Sequence, residues 1–367
     1  MSQRSTRRQL IAGLGALSAM VPLTTKRQAK AASSDIIKPP RLQPGDTVGI
    51  ISPAGATFNT TDLDIVMDAV RGLGLIPRPA PHVLSQYGYL AGHDRDRAAD
   101  VNQFFGDPEI AALLPIRGDW GCARILPYLD YDLIRQNPKI ITGFSDLTAL
   151  LLGITAQTGL ITFHGPNGLT AWRPNQTEPF RQVLFEGQAI TIENPMAAED
   201  RDRLMQTRFR VQTITPGQAQ GKLYGGNLSV LSGIVGSPYV PDLTGAILFL
   251  EDVGESVYRI DRMLTQLKLA GVLDQLSGFV FGQCTNCGPS GGYGGLTLEQ
   301  VLTDHIAPLG IPAWWNAAIG HVEPILTLPL GTQVMMDATA GKITMMEPAI
   351  ASSPTSHVSK HWHPQSL

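Results

Sequence analysis

Three polar positions each close an apolar run. Ser145 follows KIITGF, Glu251 and Asp252 follow GAILFL, and His321 follows AAIG. Open α/β sheets place reactive residues at the carboxyl ends of their strands. A serine, an acid and a histidine are the groups that acyl transfer needs. The imidazole removes the hydroxyl proton, the acid orients the imidazole, and backbone N–H groups stabilise the oxyanion. Each residue also has a plainer reading. Serine is a preferred helix N-cap, and Ser145 precedes the helical stretch DLTALLLGITAQTG. Glu251 could pair with Arg259 or Arg262, and His321 could be a satisfied interior histidine. The residue types alone leave both sets of readings open.

The elements that must position these residues follow from periodicity. DTVGIISPAG reads as a buried strand and a turn, and TTDLDIVMDAVRGLGL as a helix with a Gly-rich stop. DRDRAADVNQFFGDPE is a second helix with an acidic start. IAALLPIRGDWG is a strand running into a glycine turn, KIITG another strand, and LITFHGPN a further strand and loop. Short apolar runs alternating with helices predict a βαβ series and a mostly parallel sheet. The pattern breaks at 173–210, which mixes Pro, charged and polar residues and reads as a crossover between domains. Beyond it come shorter, Gly-rich strands such as GKLYGGNLSVL and TGAILFLEDVG, two helices, a loop NCGPSGGYGGLT that is mobile by composition, and a polar tail. The domain reading is therefore 38–175 for a nucleophile domain, 176–210 for a linker, 211–348 for a domain carrying the Glu and His, and 349–367 for a loose tail. His357, His361 and His363 fall in that tail.

Composition narrows the function. The 367 residues are 43% hydrophobic and 16% charged, an ordinary soluble globular balance. Residues 1–34 differ. They have a basic start with Arg7-Arg8, an apolar run from Leu10 to Leu23, and Ala-Lys-Ala at 29–31. The segment resembles a twin-arginine export signal and predicts a periplasmic protein, or a cytoplasmic one should the signal not function. The apolar run is too short to favour a spanning helix, so no membrane association is expected after its removal. Residues 1–31 hold six Lys or Arg and no Asp or Glu, so without them the formal charge of −3 becomes −9. An acidic body without a Lys/Arg cluster argues against a nucleic-acid partner. Cys284 and Cys287 have C-x-x-C spacing, which leaves open a local disulfide, a redox pair, half a zinc site or no relation. The sequence contains no P-loop, no H-E-x-x-H and no completed dinucleotide fingerprint.

Several ordered phrases carry a resemblance. RGDWGCARILPYLD (117–130), KIITGFSDLTAL (139–150), FHGP (163–166), GKLYGGNLSVL (221–231), GAILFLEDVGESVYRIDRMLTQL (245–267) and AIGHVEPILTLPLG (318–331) resemble the LD-carboxypeptidase family. This family of serine peptidases also contains the microcin-C immunity peptidases. The likeness spans about residues 38 to 345. It implies an α/β fold with an N-terminal flavodoxin-like parallel-sheet domain and a C-terminal β-rich α/β domain. It implies Ser145 as nucleophile, Glu251 and His321 as its catalytic partners, and no metal or cofactor. The implied substrate is a murein tetrapeptide that loses its C-terminal D-alanine. The alternatives are a same-family peptidase acting on another acylated peptide or a peptide–nucleotide conjugate, and an inactive murein-peptide-binding protein. Family members often form dimers, so a homodimer is allowed.

The oxyanion donors expected from this resemblance are the backbone amides of Asp146, Gly118 and Asp119. Here the sequence departs from the family, which usually has glycine where Asp119 stands. A glycine there would serve an unusual φ, and Asp119 adds a negative charge. Asn227 is expected to bind substrate, with an Asx turn beside two glycines as its plainer role. Trp120 is expected to line the peptide groove, with a core or interface role equally open. Arg124 reads as a structural partner of an acidic residue, and Trp314 and Trp315 as packing residues.

Overall fold

The computed structural model describes residues 35–288 and 294–352. The export segment, part of the glycine-rich loop and the tail histidines lie outside the described residues.

Five strands form the sheet that carries Ser145. They are β1 (Thr47–Ile51), β2 (Ile76–Pro79), β3 (Ile110–Pro115), β4 (Ile140–Gly143) and β5 (Thr162–His164). They pair in parallel in the order β5-β4-β3-β1-β2. This is the flavodoxin-like doubly wound order, whose topological switch lies between β1 and β3. The runs VGII in β1, ALLP in β3 and IITG in β4 are buried, as central strands covered on both faces must be.

The second sheet has eight strands. They are β6 (Thr191–Glu193), β7 (Gln212–Thr215), β8 (Gln218–Asn227), β9 (Ile247–Val253), β10 (Gly278–Thr285), β11 (Ala313–Trp315), β13 (Gln333–Asp337) and β14 (Lys342–Met345). Its order is β6-β14-β13-β8-β9-β10-β11-β7, with β8 to β11 parallel and the flanking strands antiparallel. The short β12 (Leu328–Leu330) lies between β11 and β13 in the chain. It pairs antiparallel with β5 and so extends the first sheet. β6, from the irregular stretch 173–210, likewise joins the second sheet. One hydrophobic core runs through residues of both sheets.

Helices cover the sheets: α1 (Thr60–Gly72), α2 (Asp94–Gly106), α3 (Cys122–Ile125), α4 (Tyr131–Gln136), α5 (Leu147–Thr158), α6 (Pro174–Leu184), α7 (Leu228–Ile234), α8 (Val257–Leu269) and α9 (Leu298–Ile306). The helix behind Ser145, α5, is apolar around its whole circumference, and ten of its twelve residues are buried. Such a helix belongs in an interior. It packs against β5, β8 and α7. Its Thr148 hydroxyl accepts the Asn227 N–H at 2.9 Å. A Cβ on Gly226 would lie 2.4 Å from that hydroxyl, so the glycine before Asn227 permits the two sheets to approach. This docking brings the ends of β4 and β9 together.

Candidate active site

Ser145 sits on a tight turn between β4 and α5, with φ of 64°. A left-handed backbone costs a non-glycine residue about 1–2 kcal/mol. The N-cap of α5 is Asp146, and its side chain makes no capping bond. Ser145 is therefore not a capping residue. Its Oγ lies 3.1 Å from His321 Nε2.

Behind the serine, His321 Nδ1 lies 2.8 Å from Glu251 Oε2. A carboxylate only accepts, so this bond puts the proton on Nδ1 and leaves Nε2 to accept from the Ser145 hydroxyl. Glu251 is 0% exposed, whereas the His321 side chain is 20% exposed. The histidine lies on the loop between β11 and β12. Its carbonyl accepts the Thr285 hydroxyl at 3.0 Å, and its ring meets the edge of Phe144 at 5.0 Å. Thr285 itself lies within the loop closed by a Cys284–Cys287 disulfide. The open question on the C-x-x-C spacing thus resolves to a local disulfide. Arg259 pairs with Glu255 and Arg262 stacks on Tyr258, so neither takes up Glu251.

The loop after β3 faces the serine. A Cβ on Gly118 would fall 3.0 Å from Ser145 Cβ and 3.4 Å from the Asp146 nitrogen. Only glycine leaves the space beside the hydroxyl open. Among the described residues the Asp146 amide donates to no protein acceptor. Its carboxylate is engaged elsewhere, accepting the Cys122 N–H at 2.7 Å, and burial holds its carboxyl above the usual range. Asp119 has φ of 77°, the backbone conformation for which a glycine is suited. Its carboxylate does not stand alone, because Arg117 Nε lies 2.6 Å from Oδ2. The buried Arg97 guanidinium donates to the carbonyls of Pro53 and Gly121, tying together the loops that leave β1 and β3.

Two expectations need correction. Asn227 is 3% exposed and its side chain is fully engaged inside the protein. Its Nδ2 donates to Glu251 Oε1 at 3.2 Å and to Asp252 Oδ1 at 3.1 Å. Its Oδ1 accepts the Val230 N–H at 3.1 Å and the Ser229 hydroxyl at 2.7 Å. No donor or acceptor remains for a substrate. The cause is register: β8 and β9 pair Asn227 with Glu251. Trp120 is 64% exposed, lies edge-on to Tyr89, and does not line the large cavity of the site. Arg124 pairs with Asp94, and Trp314 is buried as a packing residue.

That cavity measures about 740 Å³ and opens beside Phe144 and His321. Its walls come from 169–176, 195–209 and 322–325, so the irregular crossover stretch supplies much of it. Its residues escaped the sequence reading because nothing in their order marks which of them meet. His164 was also missed, although it stands in the phrase FHGP. It is buried behind Phe144 and edge-on to Phe249, and burial pushes its imidazole down to about 4. Burial likewise pushes Asp252 up to about 6. Among the described residues no group of three or more His, Cys, Asp or Glu could hold a metal ion. No described helix is long and apolar enough to cross a membrane.

Known proteins resemble this chain over most of its length. Residues 48–165 match the LD-carboxypeptidase N-terminal domain, and residues 220–336 match the LD-carboxypeptidase C-terminal domain. A probable murein peptide carboxypeptidase of Bacillus subtilis is 38% identical, over 86% of this chain and 95% of that relative. The microcin C7 self-immunity protein of Escherichia coli is 32% identical, over 83% of this chain and 94% of its own. A solved structure of a microcin C7 self-immunity protein without ligand superposes with a TM-score of 0.76 at 28% identity. It covers 86% of this chain and all of that one.

Proposed function

The chain belongs to the LD-carboxypeptidase family, and on that premise we propose that it is a serine-type peptidase that releases D-alanine from murein tetrapeptide. The observation that carries the reading is the chain of contacts from Ser145 through His321 to the buried Glu251, at 3.1 and 2.8 Å. In this reading Ser145 Oγ attacks the carbonyl of the L-configured centre as its proton passes to His321 Nε2. Glu251 stabilises the resulting imidazolium. The amides of Asp146 and of the Gly118–Asp119 turn receive the oxyanion. His321 then gives the proton to the departing amine of D-alanine, and water attacks the acyl-enzyme by the same route in reverse. The Arg117 partner of Asp119 offsets the negative charge next to that turn.

The Cys284–Cys287 disulfide supports export to an oxidising compartment, in keeping with the twin-arginine-like start of the sequence. A second reading, cleavage of an aminoacyl–nucleotide conjugate, draws support from the likeness to the microcin C7 self-immunity structures, one of which holds glutamyl sulfamoyl guanosine. The test is turnover of both substrate types, followed by mass analysis of the products. Ser145→Ala is expected to lower D-alanine release by about 10⁴-fold or more while thermal unfolding stays within a few degrees of the parent. Undiminished turnover in that variant would remove the serine mechanism.

A further inference from the structure

The cavity beside Ser145 carries a charge balance unlike that of the rest of the molecule. Residues 32–367 have a formal charge of −9. The cavity wall instead carries three arginines, Arg173, Arg201 and Arg208, against two glutamates, Glu199 and Glu323. Both glutamates are already taken. Arg173 Nη1 lies 2.9 Å from Glu323, and Arg208 Nη1 lies 2.9 Å from Glu199. Arg201 is the surplus cation, with no acidic partner among the described residues. A cleft lined by one excess sign concentrates ligands of the other.

The segment that presents Arg201 is held from below. Asp200 is buried, and its carboxylate accepts the Thr207 N–H at 2.8 Å, the Thr207 hydroxyl at 2.5 Å and the Arg208 N–H at 2.8 Å. These bonds close the loop 200–208 at its base, so Arg201 leaves a fixed point at the cavity wall. Arg208 is fixed as well, with its guanidinium 4.9 Å from the Phe209 ring centroid. Fixing the backbone beneath a guanidinium lowers the entropy lost when it takes up an oxyanion.

We propose that Arg201 selects substrates bearing an oxyanion on the portion seated in this cavity, and that this oxyanion is a side carboxylate of the acyl part of the peptide. The inference rests on the carboxypeptidase reading for its substrate. A departing single amino acid is far smaller than about 740 Å³, so the cavity is assigned to the acyl part. A phosphate would satisfy the same guanidinium, and the test separates the two sources.

The test uses the full chain with Arg201→Gln, and Arg203→Gln as a control, because Arg203 lies near Asp200 and outside the cavity wall. Three ligands are compared: a tetrapeptide with free side carboxylates, the same peptide with those groups as carboxamides, and an aminoacyl–nucleotide phosphoramidate. Turnover is measured in the catalytic chain and Kd in the Ser145→Ala background. Arg201→Gln should lower kcat/KM and weaken binding about tenfold for the free-carboxylate peptide, and within twofold for the carboxamide. Arg203→Gln should change neither. A loss confined to the phosphoramidate would overturn the acyl-carboxylate assignment, because that phosphate is on the leaving side of the scissile amide. Equal losses on all three ligands, or none on any, would overturn the inference. Binding in the Ser145→Ala chain keeps the result independent of turnover. Failure of the parent chain to release D-alanine would count against the carboxypeptidase reading alone.

Discussion

The two sides of the site are built by opposite means. The side from the first sheet relies on unusual backbone: Ser145 at φ 64° and Asp119 at φ 77°, with Gly118 leaving room beside the hydroxyl. On the side from the second sheet the acid itself stands in extended strand and deep burial, and positive φ falls to the glycines next to Asn227 and His321, Gly226 at 141° and Gly320 at 114°. Glu251 and Asp252 are the last residues of β9 before its final Val253, and each has its carboxylate oxygens supplied with donors. The difference follows from what each side must do. A nucleophile must project into space that substrate will enter, so its turn is strained and open. An orienting acid must hold one imidazole in one tautomer, so it is buried and saturated. Changes at Glu251, Asp252 and Asn227 therefore act through orientation and charge, with no contact to substrate.

The largest effect expected on that side comes from Glu251→Gln. The amide can present an N–H to His321 Nδ1 and drive the ring into the tautomer that cannot accept the Ser145 proton. A loss of about 10³–10⁴-fold in kcat is expected, with the fold intact. Steady-state kinetics together with near-UV circular dichroism checks this. Retention of more than a tenth of the activity would mean that His321 does not depend on the acid.

His164 tests the seam between the two sides. Its ring lies against Phe144 from the first sheet and Phe249 from the second. Its imidazole is depressed from 6.5 to about 4 by burial. A depressed base contributes stability that is present above its unfolded value and lost as pH falls through the folded one. The loss should run from about pH 6.5 to below pH 4 and reach on the order of 3 kcal/mol. His164→Phe keeps a ring of similar size and removes the proton site, so denaturant unfolding should show a shallower acid loss. An unchanged pH slope would place the acid sensitivity in other groups.

These residues also show what a linear sequence can disclose. Ser145, Glu251 and His321 are legible because each stands at the end of an apolar run, and a sheet turns such ends into one crevice. The alternation of strands and helices makes the flavodoxin-like sheet legible for the same reason. The role of Asn227 is not legible, because its partner lies 24 residues on and is chosen by β8–β9 register. The return of β12 to the first sheet is hidden in the same way, since Leu328–Leu330 carries no mark of which edge it will join. Asp119 was visible as a departure, but its pairing with Arg117 depends on a turn whose φ the sequence does not display. Arg201 lies in a stretch without periodicity, where only the folded cavity tells which charges are paired and which is left over.

Asn227 makes the comparison sharpest. Had it touched substrate, replacing it would raise KM. The structure instead places its amide between two buried carboxylates, with its orientation fixed by Val230 N–H and the Ser229 hydroxyl on the oxygen side. Asn227→Ser keeps an oxygen able to cap α7, since serine and asparagine cap about equally well. It removes the N–H groups that reach Glu251 and Asp252. Glu251 then loses one of the donors that hold its carboxylate toward His321. The expected result is a fall of about tenfold in kcat with KM within twofold of the parent. Asn227→Ala should add a loss of about 1 kcal/mol in unfolding free energy from the missing cap, without a proportionate further loss in kcat. A rise in KM with kcat preserved would return Asn227 to the substrate, and would mean that the buried network opens during turnover.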